Sequence, residues 1–129
     1  MSPGSPLQRS RAETVGPSKG NSDLWEISGM VEVRETRRPL EGLLVSAFDK
    51  DLAFDDHLGV AVTDSDGRFV IRFTENRFQD LLESDPDIYL RVFDASGKRE
   101  VFTTRDKVRY NASRKEKFKL SIPSRNLGL

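Results

Sequence analysis

The sequence predicts an all-β fold: seven to eight short antiparallel strands packed as a two-sheet β-sandwich, with one short helix near residues 75–83. Three observations carry this. Apolar residues recur at every second position through most of residues 24–123, the period of a strand with one buried face. Clusters of Gly, Pro, Asp and Ser interrupt that pattern every eight to twelve residues or so, the spacing of sandwich turns. One stretch departs from it: in Glu75 to Glu83, Phe78, Leu81 and Leu82 fall at i, i+3 and i+4, an amphipathic helix of about two turns.

Taken in order, Trp25, Ile27, Val31 and Val33 share one parity around Gly29, which reads as a bulge or a point of close backbone approach. Residues 34–42 are polar and hold Pro39 and Gly42, so they form a connection. Leu43 to Phe48 is apolar at nearly every position, as in a strand covered on both sides. Leu58 to Thr63 is the next strand. Asp64-Ser65-Asp66-Gly67 then makes a turn, because Asp side chains bond the turn backbone and Gly takes a positive φ. Phe69, Ile71 and Phe73 alternate with Arg68, Val70 and Arg72 in the cleanest half-buried strand of the chain. Ser84-Asp85-Pro86-Asp87 ends the helical stretch, since a residue before Pro is pushed out of helical geometry. Ile88 to Phe93, a turn at 94–97 and Arg99 to Thr104 come next. After a polar stretch from Arg105 to Lys115, Phe118, Leu120 and Ile122 alternate with Lys117, Lys119 and Ser121 up to Pro123. The expected organisation is a disordered tail over 1–23, one sandwich domain over 24–123 and a frayed end over 124–129. The tail reading rests on three Pro and three Gly, with Leu7 and Val15 the main residues able to bury anything.

Composition narrows the function classes. The 129 residues carry 21 Lys+Arg against 21 Asp+Glu, so no net field draws in nucleic acid or an acidic membrane. With no Cys there are no disulfides, thiolate nucleophiles or Cys-based metal sites. A single His excludes any site needing two imidazoles from this chain. No apolar run approaches the roughly 18 residues of a membrane span, and the N-terminus lacks the apolar core of a secretory signal. Together with the missing Cys, this points to a soluble protein of a reducing, cytoplasmic setting.

Two runs then carry a family likeness. Arg38-Pro39-Leu40-Glu41-Gly42-Leu43-Leu44-Val45-Ser46-Ala47-Phe48-Asp49 and Thr63-Asp64-Ser65-Asp66-Gly67-Arg68-Phe69 resemble the Pro-x-x-Gly-x-x-Val-x-x-x-Asp run and the Thr-Asp-x-x-Gly-x-Phe turn of transthyretin-like (prealbumin-like) and carboxypeptidase-regulatory-like domains. The likeness spans Ile27 to Ile122 and implies a Greek-key sandwich. Enzymes of related fold can be checked by residue. The hydroxyisourate hydrolases of this fold use more than one His, an Arg and a C-terminal Tyr-Arg-Gly-Ser, whereas this chain has His57 alone and ends Arg125-Asn126-Leu127-Gly128-Leu129. Intradiol dioxygenases, whose core is a related sandwich, hold iron with two Tyr and two His. Tyr89 and Tyr110 are present, but a second His is not.

The candidate site is acidic. Asp49, Asp51, Asp55 and Asp56 lie within eight residues. If successive strands run antiparallel, the 49–57, 74–87 and 105–114 connections share one end of the sandwich, which adds Asp85 and Asp87. Six carboxylates on one rim repel unless a cation or basic side chain neutralises them, and Ca²⁺ accepts such a set of loop oxygens. Residues 48–59 are similar to the third calcium loop of C2 domains and 84–90 to their first, in reversed chain order; that resemblance implies Asp49, Asp51, Asp56 and Asp85 as ligands. The same carboxylates also fit plain loop chemistry, paired with Lys50, Arg105, Lys107 and Arg109 or bonded to their own backbone. His57 reads as an exposed polar residue and Trp25 as an anchor of the first strand. The basic stretch Arg105, Lys107, Arg109, Arg114, Lys115, Lys117 and Lys119 reads as solvated rather than as a nucleic-acid surface, because Lys117 and Lys119 alternate with Phe118 and Leu120.

The expectation from sequence is therefore a transthyretin-like sandwich that is not an enzyme: a non-catalytic protein-interaction or ligand-binding module with no cofactor. Its alternative is a calcium-binding, C2-like sandwich. The expected partner is a protein, met at the acidic loop end or by strand addition at an edge, which would also permit a homodimer.

Overall fold

The computed structural model describes residues 24–75 and 85–129. They form seven strands: β1 (Leu24–Val33), β2 (Leu44–Asp49), β3 (Asp56–Val62), β4 (Arg68–Thr74), β5 (Ile88–Phe93), β6 (Glu100–Thr103) and β7 (Lys115–Ile122). A three-stranded sheet in the order β4-β1-β7 packs on a four-stranded sheet in the order β3-β2-β5-β6. The expected helix near 75–83 and the expected tail over 1–23 lie outside the described residues, apart from Glu75.

The alternation seen in the sequence is the alternation of the two faces. β4 reads exposed-buried along its whole length, with Phe69, Ile71 and Phe73 turned inward. Those three meet Ile27 and Val31 of β1, Val45 and Ala47 of β2, Leu90 and Val92 of β5, and Phe118, Leu120 and Ile122 of β7 in one apolar core between the sheets. β2 departs from the sequence reading. Its inner face is buried, while Leu44, Ser46 and Phe48 are half-buried on the outer face, so the strand is central in its sheet without being covered on both sides.

One pairing corrects the all-antiparallel expectation. β1 and β4 are antiparallel, but β1 and β7 run parallel, with Gly29 opposite Phe118. A parallel pair needs a long return connection, here almost the whole domain, so no local signal announces it. Gly29 marks the closest approach in that pairing. A Cβ there would sit 2.2 Å from the Phe118 carbonyl oxygen and 2.9 Å from the Phe69 ring. The bulge falls elsewhere, between Ala47 and Phe48 against β3.

The C-terminus also differs from the frayed end predicted. Ser124–Leu127 forms a 3₁₀ turn capped by Gly128 at φ 78°. The Asn126 side chain donates to the Val101 carbonyl, Arg99 donates to the Asn126 carbonyl, and Leu127 packs against the core. Pro123 stops the strand, and these contacts hold the turn in place against β6.

Candidate functional site

The 50–55 connection, the residues before β5 and the 104–114 connection meet at one end of the sandwich. Backbone bonds join them. Lys50 N–H donates to the Asp87 carbonyl, Ile88 and Arg109 exchange both of their bonds, and Ala112 N–H donates to Pro86. The alternation of loops between ends, inferred from strand count, therefore places Asp49, Asp51, Asp55, Asp56, Asp85 and Asp87 on one rim as expected.

The rim carboxylates face different partners. Asp49 Oδ1 accepts the Asp87 N–H at 2.8 Å, and Asp87 Oδ1 accepts the Asn111 N–H at 2.9 Å, so each ties one loop to the next. Asp51 Oδ1 accepts the Leu52 N–H, and Asp55 Oδ1 accepts the Asp51 N–H at 3.0 Å. The other Asp55 oxygen accepts the Tyr89 hydroxyl and pairs with Arg105 at 3.3 Å. Asp56 opens β3 opposite Asp49, and Asp85 is exposed. Among the described residues no three His, Asp or Glu side chains are grouped closely enough to hold a metal ion.

These environments set the charges. Burial, opposed by the Asp87 N–H bond and reinforced by the neighbouring Asp87, Asp56 and Asp51 charges, pushes Asp49 from its ordinary 3.8 up to about 6. The Tyr89 hydroxyl, then the Asp51 N–H, holds Asp55 below the usual carboxylate range. Burial and the Asp55 bond push Tyr89 up to about 12. The raised Asp49 value means the native state favours its protonated form. That contribution is fully present below the usual carboxylate range and is lost as pH rises through about 6. Asp49→Asn keeps the Oδ1 acceptor and removes the charge. It should leave stability unchanged near pH 3 and raise it by up to about 1 kcal/mol near pH 8, after allowing for solvent screening. Chemical denaturation at the two pH values measures this, and equal effects at both would refute it.

A second feature escaped the sequence reading. The outer face of the four-stranded sheet carries an aromatic cluster: Phe48 stacks on Tyr89 with ring centres 5.4 Å apart and lies 5.2 Å from the His57 ring. Arg91 lies over Phe93 at 4.9 Å and pairs with Glu100, while Arg105 lies over Tyr89 at 5.2 Å. His57 is thus an exposed residue against an aromatic ring. Alternation places Phe48, Arg91 and Phe93 outward in the sequence, but their assembly depends on β2 pairing with β5. Trp25 is a buried anchor whose indole N–H donates to Glu75. Of the basic stretch, Arg105, Arg109 and Arg114 are engaged in ion pairs with Asp55, Glu116 and Glu75.

No protein-family model matches the chain, and no curated protein does. Solved structures do. A 9R-lipoxygenase from Cyanothece PCC8801 matches 90% of this chain at 25% identity with a TM-score of 0.56. The dioxygenase domain of a dioxygenase–carbohydrate-binding protein fusion from Streptomyces sp. SirexAA-E matches 78% of this chain and 80% of its own length, at 18% identity and a TM-score of 0.48. Chlorocatechol 1,2-dioxygenase from Pseudomonas putida matches 78% of this chain and 60% of its own length, at 14% and 0.47. The chain spans 18% of the lipoxygenase and so corresponds to a small part of it.

The lipoxygenase likeness overturns three expectations from the sequence: a non-catalytic interaction or ligand-binding module with a calcium-binding sandwich as its alternative, the absence of enzyme function, and the absence of any cofactor but calcium. In their place stands an enzyme-related fold, shared with part of a 9R-lipoxygenase. The His and Tyr content bears only on a metal site built by this chain alone, whereas the shared fold lies in the path of the backbone. Tested against iron, the described residues do not fit. His57 stands alone beside Phe48, the Tyr89 hydroxyl is held by Asp55 and Arg105, and Tyr110 is exposed. No step of a reaction is therefore routed through iron on these residues.

Proposed function

We propose that the chain takes part in lipid oxygenation as the β-sandwich of a lipoxygenase-type enzyme. The observation that carries this reading is the likeness to the Cyanothece 9R-lipoxygenase over 90% of the chain. The surface adds support. Leu52, Phe54 and Tyr110 stand exposed on the loop rim, beside a small cavity that Lys50, Asp51 and Asp87 line together with Leu52 and Tyr110. Exposed apolar side chains of this kind suit contact with a hydrocarbon tail. The metal of such an enzyme lies outside the described residues, whose own contribution is contact with lipid. The Pro39 to Phe73 region supports a transthyretin-like description of this sandwich, with Gly67 at φ 75° and Asp64 Oδ1 accepting the N–H groups of Asp66 and Arg68.

Oxygen uptake with linoleate tests the reading, in two forms: the chain supplied with Fe²⁺, and the chain exchanged for the matched segment of the Cyanothece enzyme. The exchanged enzyme should retain uptake within about tenfold of its parent, a barrier change of roughly 1.4 kcal/mol. An exchanged enzyme that folds and loads iron like its parent, yet consumes no oxygen, would overturn the proposal. Uptake by the chain with Fe²⁺ alone would place a metal on its own residues, against the poor fit of His57, Tyr89 and Tyr110.

A further inference from the structure

The geometry points to a binding site for a single long-chain fatty-acid anion on the outer face of the three-stranded sheet, in a trough of about 370 Å³ centred on Ser28 and Gly29. This deepens the lipid-oxygenase reading and rests on it for the choice of ligand. The trough lies away from the acidic rim, in the middle of the sheet, and the register shows how it is built. One outward row runs Arg68–Met30–Lys119 and the next runs Val70–Ser28–Lys117. Between them runs the inward row Phe69–Gly29–Phe118. Short Ser28, between Val70 and Lys117, leaves a depression beside the longer side chains of the next row, and all nine residues line it.

The chemistry of the walls selects the ligand. Arg68, Lys117 and Lys119 are exposed, and none has an ion-pair partner among the described residues. Two acids stand in the adjacent outward rows: Glu26, paired with Arg72 at 3.3 Å, and buried Glu32, which pairs with Arg37 at 3.9 Å and accepts the Ser121 hydroxyl. Three uncompensated cations around one depression attract an anion. The same depression offers Met30 and half-exposed Val70, which take a hydrocarbon tail. Lys stems lying along apolar surface with their ammonium groups in water fit both ends of such a ligand. The volume is at the lower end of the range for small-molecule sites, roughly 300–1,000 Å³, and suits one chain rather than a bilayer.

Calorimetric titration of dissolved linoleate, below its micelle-forming concentration, into the full 129-residue chain tests this. One saturable site is expected. Methyl linoleate, with the same tail and no charge, should bind at least about tenfold more weakly, and so should linoleate to the K117E/K119E variant. Both lysines are exposed, so that variant should keep its fold; if it does not, K117Q/K119Q should show a smaller loss in the same direction. The site is overturned if the methyl ester binds as tightly as the acid or if charge reversal leaves binding unchanged. It is also overturned if inorganic phosphate displaces linoleate at equal concentration, which would make it a simple anion site, or if vesicles containing phosphatidylserine bind while dissolved linoleate does not. Binding without oxygen uptake in the exchanged enzyme would sink the oxygenase reading and leave this site standing. Uptake by that enzyme with no linoleate binding to the chain would do the reverse.

Discussion

Gly29→Ala should destabilise the domain by about 3 kcal/mol, at the upper end of the cost of overpacking a core. The methyl group would meet the Phe118 carbonyl oxygen at 2.2 Å and the Phe69 ring at 2.9 Å. The ring can rotate, but the carbonyl belongs to the ladder that pairs β1 with β7, so relief requires the two strands to part. In a domain of about 100 residues this lowers the unfolding midpoint on the order of 15 °C. Gly42→Ala is the control. Gly42 has φ 84° with nothing within 4 Å of the new methyl, so the substitution costs the left-handed backbone penalty alone, about 1 kcal/mol. Thermal melts of the two variants side by side decide it; equal midpoints would mean that the β1–β7 approach is looser than described.

The second large effect falls on Tyr89, which joins the fold to the loop rim. Its side chain is 1% exposed, its ring stacks on Phe48, and its hydroxyl donates to Asp55. Tyr89→Ala removes the ring and should cost about 4 kcal/mol, as for other buried aromatics. Tyr89→Phe keeps the ring and removes the donor, and should cost about 1–2 kcal/mol because Asp55 is left with Arg105 and the Asp51 N–H. The acid limb gives a separate readout. Asp55 is held below the usual carboxylate range, so its contribution is present above that range and is lost as pH falls through the lowered value. Tyr89→Phe should therefore flatten the loss of stability toward low pH. Denaturant titrations from about pH 3 to 7 measure both effects, and a Phe variant as unstable as the Ala variant would remove the hydroxyl from any stabilising role.

Much of the candidate rim was legible because its features are local. Asp49, Asp51, Asp55 and Asp56 are close in sequence, and the parity of strand number brought Asp85 and Asp87 to the same end. What each carboxylate faces was not legible. Asp49 caps the Asp87 N–H and Asp55 takes the Tyr89 hydroxyl across gaps of 38 and 34 residues, and such partners depend on which strands lie side by side. The oxygenase likeness was hidden for a related reason: it resides in the path of the backbone, and residue counts report on ligands.

By itself, then, the sequence determined the β class, the seven strands to within a few residues, the turn at Asp64–Gly67 and the faces of β4 and β7. Each stems from a two-residue period or from the backbone preference of a Gly or Pro, properties of the chain over a few residues. Tertiary structure alone decided the sheet order, the parallel union of β1 with β7, and hence the meeting of Arg68, Lys117 and Lys119 around Ser28. The backbone hydrogen bonds that join strands are the same for every residue type, so alternation shows which side of a strand is buried but not which strand lies beside it. That choice belongs to the packing of the whole core, and it is the choice that built the trough.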